Sequence, residues 1–363
     1  MPRVIGIDPG TVSVDLCGLA DGRVFLDESI PTPDALGEPS RIVELLEIAS
    51  PIDLVAGPSG YGLPVTLAKD LTESDLRLAC LAPRGEAGGI GGLAALLRAL
   101  GRASMPVVVT PGVVHLTTVP AHRKINRVDM GTADKVCAVA LAIHEQARTR
   151  RCSERDVSFI LLELGGAFTA AIAVEGGRIV DGLGGSSGPM GPAASGALDA
   201  EVAYLAERIT KRDLFSGGAL SVAGTPDAPA DALADVTTPA GQIAREAYVE
   251  DAVKAVVRLT VSAPGARTVV LSGRLARVAG VRDALSTRLT RSIADISVEV
   301  LKGFAAVSKH AAQGAAIVAD GLAGGASAAI VDRLGIREAR GTVLDHLYVI
   351  SAAAARARLG ITG

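Results

Sequence analysis

Two segments of this chain, one near its start and one in its middle, follow the same pattern. Residues 5–24 read IGIDPGTVSVDLCGLADGRV, and residues 160–179 read ILLELGGAFTAAIAVEGGRI. Aligned without gaps, Asp8 matches Glu163, and glycines of the following turns match as well. In both segments an apolar strand ends at an acidic residue and a glycine turn, and two more apolar strands follow. The repeat predicts two consecutive β-hairpins in each half of the chain, and hence a fold of two similar lobes.

The turns of this repeat have the chemistry of a phosphate site. Glycine has no Cβ, so the backbone N–H groups of a glycine turn can approach a phosphate closely. The acidic residue at the strand end, Asp8 or Glu163, is placed to hold Mg²⁺ or its water shell beside the phosphates. One such hairpin alone is more readily a plain turn, but two that face each other grip a polyphosphate from both sides. The predicted phosphate contacts are Gly10, Thr11, Ser13, Gly165, Gly166 and Thr169.

Size and charge limit the classes of function. The 363 residues are enough for two domains, which we place at residues 1–150 and 151–363. The net charge is −3, and no basic block is interleaved with aromatic residues, so nucleic acid is not expected as a partner. The four cysteines are scattered without a Cys-x-x-Cys pair. We therefore expect neither a disulfide framework nor a cysteine metal cage, and a reducing compartment fits best.

The sequence does not predict membrane contact. The apolar stretch at residues 157–174 is long, but Glu163 and a pair of glycines interrupt it, which is typical of a hairpin rather than of a spanning helix. The chain starts directly with strand residues instead of a secretion signal. We expect a cytoplasmic protein, with a homodimer as a candidate assembly.

Periodicity and turn residues predict further elements. The predicted helices cover residues 38–49, 92–100, 132–146 and 311–317, and the predicted strands cover residues 52–57, 107–110 and 296–301. The charged segment 148–155 is predicted to cross between the halves. The Gly- and Pro-rich stretch 182–196 is a candidate substrate loop, and residues 219–242, rich in Ala, Pro and Asp, are predicted to form an exposed insertion.

Four segments, in this order along the chain, together resemble the actin-like ATPase superfamily, which includes acetate kinase, sugar kinases, heat-shock chaperones and actin. Residues 7–11 resemble its first phosphate motif, and residues 163–169 resemble its second, with Glu163 in place of the usual Asp. Residues 268–274 resemble its adenosine motif, and residues 311–317 resemble the helix that packs the domains together.

This resemblance implies a fold and two ligands. The fold is α/β, with two ribonuclease-H-like domains, mixed central sheets and a nucleotide cleft between them. ATP and Mg²⁺ are the implied cofactors, and the partners are the nucleotide and a small-molecule acceptor. The implied nucleotide contacts in the adenosine motif are Ser272, Gly273 and Arg274.

The run at residues 122–135 is similar, more narrowly, to a prokaryotic family labelled predicted butyrate kinase. Arg123 and Arg127 either pair with a carboxylate or with the migrating phosphoryl group, since arginine offers a bidentate fork, or belong to a solvated basic loop. Asp134 lies in the first turn of a predicted helix, where the dipole favours a carboxylate without any catalysis. Asp129, outside that helix, is the freer candidate for a catalytic base or for a contact to metal-bound water.

Three functions fit these residues. The first is a kinase of a small carboxylic acid, a substrate that is already ionised at neutral pH and needs no strong base. The second is a kinase of a hydroxyl-bearing metabolite such as a sugar, which would use Asp129 as its base. The third is an ATPase switch that acts on a partner protein. Ser59 and Tyr61 follow a predicted strand, where ligands often bind in α/β folds, although an ordinary glycine-rich turn explains them nearly as well.

Overall fold

The computed structural model describes residues 1–58, 60–83 and 92–361. Within these ranges the chain forms two β-sheets with helices packed on them. The strands are β1 (Arg3–Pro9), β2 (Ser13–Ala20), β3 (Arg23–Pro31), β4 (Leu54–Pro58), β5 (Thr66–Leu67), β6 (Val107–Thr110), β7 (Phe159–Leu164), β8 (Thr169–Glu175), β9 (Arg178–Leu183), β10 (Thr268–Ser272) and β11 (Ser297–Val300). The helices are α1 (Thr32–Gly37), α2 (Ser40–Ile48), α3 (Glu73–Cys80), α4 (Leu93–Leu100), α5 (Ala121–Lys124), α6 (Ala133–Arg150), α7 (Ala200–Leu205), α8 (Ala219–Val222), α9 (Pro239–Thr260), α10 (Ala279–Ser292), α11 (His310–Leu322), α12 (Ala328–Leu334) and α13 (Ala352–Arg358).

The two sheets have matching topologies. The first has the strand order β3-β2-β1-β4-β6-β5, and the second has the order β11-β10-β7-β8-β9. In each, three antiparallel strands in hairpin sequence are joined to two parallel strands, and the first sheet has one more strand, β5, antiparallel to β6 at its edge. The mixed sheets confirm the predicted fold class. The strands β1–β3 and β7–β9 confirm the prediction that the sequence repeat forms two consecutive hairpins in each half of the chain.

The second turn of each hairpin pair shows why the repeat folds as it does. Residues Asp21 and Gly22 have φ angles of 52° and 71°, and Gly176 and Gly177 have φ angles of 57° and 69°. Positive φ at both central positions is the requirement of a type I′ turn, whose twist matches that of the flanking strands. The matched glycines of the repeat are therefore residues that this hairpin needs.

Helix α11 comes from the second half of the chain but packs on the first sheet. A Cβ placed on Gly6 of β1 would lie 2.2 Å from the carbonyl oxygen of Ala312 and from the amide nitrogen of Ala316. A Cβ on Gly314 would lie 1.8 Å from the carbonyl oxygen of Cys137 in α6. The backbones touch, so only glycine fits at both contacts. These contacts place α11 on the first sheet, and a hydrogen bond between Ser272 of β10 and His310 joins the start of the helix to the second sheet, which agrees with the predicted packing of this helix between the lobes. The boundary at residue 150 stays a prediction.

Most of the locally predicted elements are found close to their predicted places. The strand predicted at 107–110 is β6, and the helix predicted at 132–146 is α6, which continues to Arg150. The charged crossing segment therefore begins inside this helix, and a short 3₁₀ turn at Glu154–Asp156 leads into β7. The apolar stretch at 157–174 is the β7–β8 hairpin, and none of the described helices combines the length and hydropathy needed to cross a bilayer.

The prediction that residues 219–242 form an exposed insertion is wrong for part of this segment. Four apolar side chains are buried in the core of the second sheet, and α9 already begins at Pro239 with Thr238 as its cap. The composition does not predict this burial, because alanine and leucine side chains in short helical turns can be buried as fully as those in a longer helix. The buried residues are Ala219, Leu220, Ala230 and Leu233.

Candidate functional site

Both glycine turns of the repeat line a single cavity of about 1000 Å³. The sequence-predicted residues among its walls are Asp8, Gly10, Thr11, Ser13, Asp129, Glu163, Gly165, Gly166, Gly273 and Arg274. The structure therefore brings together residues from the three segments that resemble the first phosphate motif, the second phosphate motif and the adenosine motif.

The two turns are closed by the same hydrogen bond. The amide of Gly10 donates to the carbonyl of Ser13 at 3.0 Å, and the amide of Gly165 donates to the carbonyl of Phe168 at 3.0 Å. A Cβ built on Gly166 would lie 3.9 Å from Cγ2 of Val12, so the tips of the two turns face each other. Backbone N–H groups near such tips are suited to bind anions.

Lys309, at the start of α11, crosses to the first turn. Its Nζ donates to the carbonyl of Ser13 at 2.8 Å and lies 3.3 Å from Oδ2 of Asp8 and 3.4 Å from Oδ2 of Asp15. Burial raises the pKa of Asp8 to about 6, and the positive charge of Lys309 opposes this rise. Burial lowers the pKa of Lys309, but the carboxylates of Asp8 and Asp15 outweigh it, so the net shift is upward. Lys309 is thus a fixed cation beside the first turn.

Lys135, in the first turn of α6, is a second cation of the cavity. Its Nζ donates to Oδ2 of Asp134 at 2.5 Å. Burial lowers the pKa of Lys135, but the attraction of the carboxylates of Asp134, Glu163 and Asp8 is stronger than this effect. The pKa of Lys135 is therefore above its ordinary value. Burial also raises the pKa of Asp134, and the charge of Lys135 more than reverses that effect. The ammonium of Lys135 therefore lies in the field of the acids from both turns.

His310 and Glu163 point unpaired polar atoms into the buried part of the site. Nδ1 of His310 shares a hydrogen bond of 2.7 Å with Oγ of Ser272, the strand neighbour of Glu163. Among the described residues, Nε2 of His310 and Oε2 of Glu163 are buried without a hydrogen-bond partner. Burial keeps the pKa of His310 below its usual range, against the attraction of Glu163, so the imidazole is neutral at neutral pH.

The acidic residues of the cavity have the donor chemistry of a Mg²⁺ site that is completed by phosphate and water. Within the described ranges, no three His, Cys, Asp or Glu side chains converge to hold a metal ion by themselves. Magnesium in phosphate sites, however, usually takes one or two carboxylates and completes its shell with phosphate oxygens and water. The buried carboxylate of Asp8 and the unpaired Oε2 of Glu163 have this donor chemistry, so the residues present fit the ion.

Asp129 is bound on both of its carboxylate oxygens. Oδ1 accepts from the amide of Gly131 at 3.1 Å, and Oδ2 accepts from the amide and hydroxyl of Ser186 at 2.9 and 3.0 Å. Its side chain ties the segment before α6 to the loop after β9, inside the stretch 182–196 that the sequence marked as a substrate loop. The geometry is that of a positioning residue.

Four predicted site residues do not line the cavity. Nη1 of Arg123 donates to the carbonyl of Val180 at 2.8 Å, and Nη1 of Arg127 lies 3.5 Å from the carbonyl of Ser187. Both guanidinium groups thus bind backbone carbonyls of the second lobe, and neither lines the cavity, so their role toward an acceptor stays a prediction.

The other two are hydroxyl residues buried behind the site. Thr169 donates its hydroxyl to Oη of Tyr248 at 3.4 Å, and Ser272 is bound to His310. Of the pair proposed after β4, Tyr61 lines the cavity, and Ser59 lies outside the described residues.

Four of the charged or polar residues described above are not predicted from the sequence: Asp15, Lys135, Lys309 and His310. Asp15 lies within a strand, and the other three lie at or just before the start of a predicted helix, where a polar residue is ordinarily explained by exposure or capping. Only the return of α11 to the first sheet brings Lys309 and His310 to the cavity, and no local pattern carries that information.

Solved kinase structures share this fold. A propionate kinase from Francisella tularensis is 13% identical with a TM-score of 0.62, over 86% of this chain and 99% of that chain. An acetate kinase from Porphyromonas gingivalis is 14% identical with a TM-score of 0.60, over 87% of this chain and 98% of that chain. An acetate kinase from Entamoeba histolytica is 12% identical with a TM-score of 0.57, over 80% and 87%. At these identities the similarity concerns the fold alone: the chain shares with these kinases an α/β fold with two mixed sheets.

None of these comparisons points to butyrate kinase in particular, so that relation stays a prediction. A search of curated proteins finds no match. The family model described as "Protein of unknown function (DUF1464)" matches residues 6–349, which is most of the chain. The chain therefore belongs to the DUF1464 family.

Proposed function

We propose that this protein is an ATP-dependent phosphotransferase that converts a small carboxylic acid to an acyl phosphate. One observation carries the proposal: two glycine turns, each preceded by an acidic residue, face each other tip to tip across one cavity. Such an arrangement suits the tail of a nucleotide held between two lobes, and segments like the adenosine motif line the same cavity.

Phosphoryl transfer needs positioning and neutralisation of charge more than covalent chemistry. In this proposal the backbone of residues 10–13 and 165–166 holds the phosphates, and Lys135 and Lys309 supply fixed positive charge beside them. Asp8 and Glu163 would hold Mg²⁺, which supplies further neutralisation of the phosphate charge when it is bound. Gly273 and Arg274 are proposed to contact the nucleoside end.

A carboxylic acid is favoured as the acceptor over a hydroxyl compound. A hydroxyl acceptor needs a base within hydrogen-bond reach, and Asp129, the residue predicted for that role, already accepts three hydrogen bonds from backbone and serine donors and has one of about four acceptor positions left. A carboxylate is ionised at neutral pH and needs no base. The structurally similar proteins named as acetate and propionate kinases are consistent with this acceptor class. The cytoplasmic location and the homodimer remain predictions.

The proposal is tested by product chemistry. The protein is incubated with Mg·ATP and either short carboxylates or sugars, while ADP release and hydroxamate formation in the presence of hydroxylamine are measured. Hydroxylamine traps acyl phosphates, and phosphate esters do not react with it. We expect ADP and hydroxamate in equal amounts with a carboxylate. ADP with a sugar and no hydroxamate would replace the proposal by a hydroxyl kinase, and ADP release without any acceptor would replace it by an ATPase switch.

A matched pair of variants links the activity to the turns. Gly166→Val fills the gap between the turn tips, and its Cβ has space because the nearest heavy atom lies 3.9 Å away. Gly37→Val adds the same side chain at the end of α1, where nothing lies within 4 Å. We expect Gly166→Val to abolish the thermal stabilisation by Mg·ATP and Gly37→Val to retain it. Equal stabilisation of both variants would show that the phosphates bind elsewhere.

A further inference from the structure

The ammonium group of Lys309 lies among oxygen atoms of the kinds that bind a metal ion. Its Nζ is 2.8 Å from the carbonyl oxygen of Ser13, 3.3 Å from Oδ2 of Asp8 and 3.4 Å from Oδ2 of Asp15. Two carboxylates and a backbone carbonyl are ligand types that suit magnesium and manganese. In the protein without ligands, these oxygens therefore already surround one positive charge.

The ammonium group also packs directly on the backbone of the first glycine turn. A Cβ built on Gly10 would lie 2.2 Å from Nζ of Lys309 and 3.6 Å from its Cε. Glycine at this position is what allows the close approach. An ion held by the same three oxygens would have to replace the ammonium group, because like charges repel strongly at such short separations.

Lys309 is anchored at its backbone as well as at its charged end. Its amide donates to Oδ2 of Asp15 at 3.0 Å, which is the same oxygen that faces Nζ. Oδ1 of Asp15 accepts a hydrogen bond from the hydroxyl of Ser29 at 2.6 Å. The amides of residues 306–308 donate to the carboxylate of Asp27 at 2.7 to 2.9 Å. The segment that leads into α11 is thus attached to β2 and β3, and this attachment holds the lysine beside the turn.

The two carboxylates that face Lys309 are buried. Asp15 has no exposed surface, and Asp8 is 5% exposed. Buried charge is costly unless it is compensated, and the lysine supplies that compensation in the ligand-free protein. Without the lysine, two buried carboxylates and a carbonyl would be left together with no cation, and these oxygens would attract a divalent ion from solution.

We propose that Lys309 is a built-in substitute for a divalent cation, which keeps the nucleotide-free protein from binding a metal ion at Asp8 and Asp15. A metal ion then enters only with the phosphates of a nucleotide, whose negative charge outweighs the repulsion by the lysine. The part of this inference that concerns the nucleotide rests on the proposed function, and the part that concerns the nucleotide-free protein does not. Lys309 acts here as a positioning residue, since it affects the ion through the two carboxylates.

The test measures the binding of Mn²⁺ alone to the full chain, from the electron paramagnetic resonance signal of the free ion. Mn²⁺ takes the same oxygen ligands as Mg²⁺. A neighbouring charge at this distance changes the proton affinity of a carboxylate about ten- to thousandfold, so Lys309→Met should lower Kd for Mn²⁺ about tenfold or more. Lys302→Met removes the same charge at an exposed position just before this segment and should leave Kd unchanged. Lys309→Gln, which keeps an N–H donor, is measured beside Lys309→Met in case methionine disturbs the fold.

A double variant separates the gain of an ion site from a general change in charge. Lys309→Met combined with Asp15→Asn has the net charge of the wild type but lacks one of the proposed ligands, so it should lose the tighter binding. Thermal midpoints are measured for all variants with and without Mn²⁺. The ion should stabilise the two single variants at Lys309 and none of the others, because a ligand that binds only the folded state stabilises that state.

Three results would overturn the inference and leave the proposed function standing. They are Mn²⁺ binding by the wild type as tight as by Lys309→Met, equal Kd values for Lys309→Met and Lys302→Met, and tight binding that survives Asp15→Asn. Mn·ATP provides the separate check, since it should stabilise the wild type although Mn²⁺ alone does not. If neither ATP nor Mn·ATP stabilises the wild type, the proposed function fails, while the Kd values for Mn²⁺ alone still decide whether Lys309 excludes the ion.

Discussion

Asp8 is predicted to reduce the stability of the ligand-free protein while it serves the nucleotide site. The side chain is only 5% exposed, and burial raises its pKa from 3.8 to about 6 in spite of Lys309 nearby. One pKa unit corresponds to about 1.4 kcal/mol. A shift of about two units therefore means that the charged carboxylate costs the folded state about 3 kcal/mol at neutral pH.

The perturbation is Asp8→Asn, which keeps the shape of the side chain and removes its charge. We expect this variant to be more stable than the wild type by up to about 3 kcal/mol at about pH 7.5, or about 4 °C in the thermal midpoint for a chain of this length. The same variant should lose acceptor-dependent ADP release, and the thermal stabilisation by Mg·ATP should be greatly reduced.

The sign of the pH dependence provides the sharpest check. A carboxyl with a raised pKa binds its proton more tightly in the folded state, so its cost is absent below pH 3.8 and is complete above pH of about 6. The stability advantage of Asp8→Asn should thus fall to about half between about pH 7.5 and about pH 5. Asp70→Asn, at an exposed position, is the control that removes one charge without this dependence. A variant that is less stable than the wild type at neutral pH, or an advantage that does not change with pH, would refute the reasoning.

Two further predictions concern packing and charge. Gly6→Ala places a methyl group against the backbone of α11, 2.2 Å from the nearest atoms, whereas Gly37→Ala meets nothing within 4 Å. We expect Gly6→Ala to lower the free energy of unfolding by about 1–3 kcal/mol or more, and Gly37→Ala to change it by less than about 1 kcal/mol. Equal thermal midpoints of the two variants would show that α11 does not touch β1 as described. Lys135→Met removes the cation between the acids of the two turns. Since hydrogen bonds to charged groups contribute about 1.5–3 kcal/mol, this variant should raise KM for Mg·ATP about ten- to hundredfold, with a much smaller effect on KM for the acceptor. An unchanged KM for Mg·ATP would place the phosphates away from Lys135.

The duplicated hairpins were predictable because their signals are local. An apolar strand, an acidic residue and a glycine turn can each be recognised from a few consecutive residues. Gly22 and Gly177 have positive φ angles, a backbone conformation that glycine adopts without steric strain. The agreement of the two copies then made each one more informative than it would be alone. The helix predicted at 132–146 was recognised for the same reason, from the regular spacing of its buried residues.

The electrostatic partners of the site were not predictable from these signals. The contacts of Lys309 with Asp8 and Asp15 join residues that are about three hundred positions apart, and they depend on the route of α11 back to the first sheet. The bidentate geometry of arginine predicts carboxylate contacts for Arg123 and Arg127, but a backbone carbonyl also satisfies a guanidinium group. The packing of the two lobes decides which anion or dipole binds each arginine. A single sequence does not contain that information in a form that can be recognised.

The charges beside the two glycine turns indicate why the proposed nucleotide should need a divalent cation there. The acids Asp8, Asp15, Asp134 and Glu163 lie at this part of the cavity with the cations Lys135 and Lys309, and His310 is held neutral. In this group the acids outnumber the lysines, and each lysine is already paired with at least one acid; the other cations that line the cavity are Arg77, Arg98, Lys211, Arg274 and Arg277. Buried charge is costly unless it is compensated, so phosphates placed at the turns would add negative charge next to carboxylates that the two lysines do not fully neutralise. A divalent ion held by Asp8 and Glu163 would supply the missing positive charge where the two turns meet.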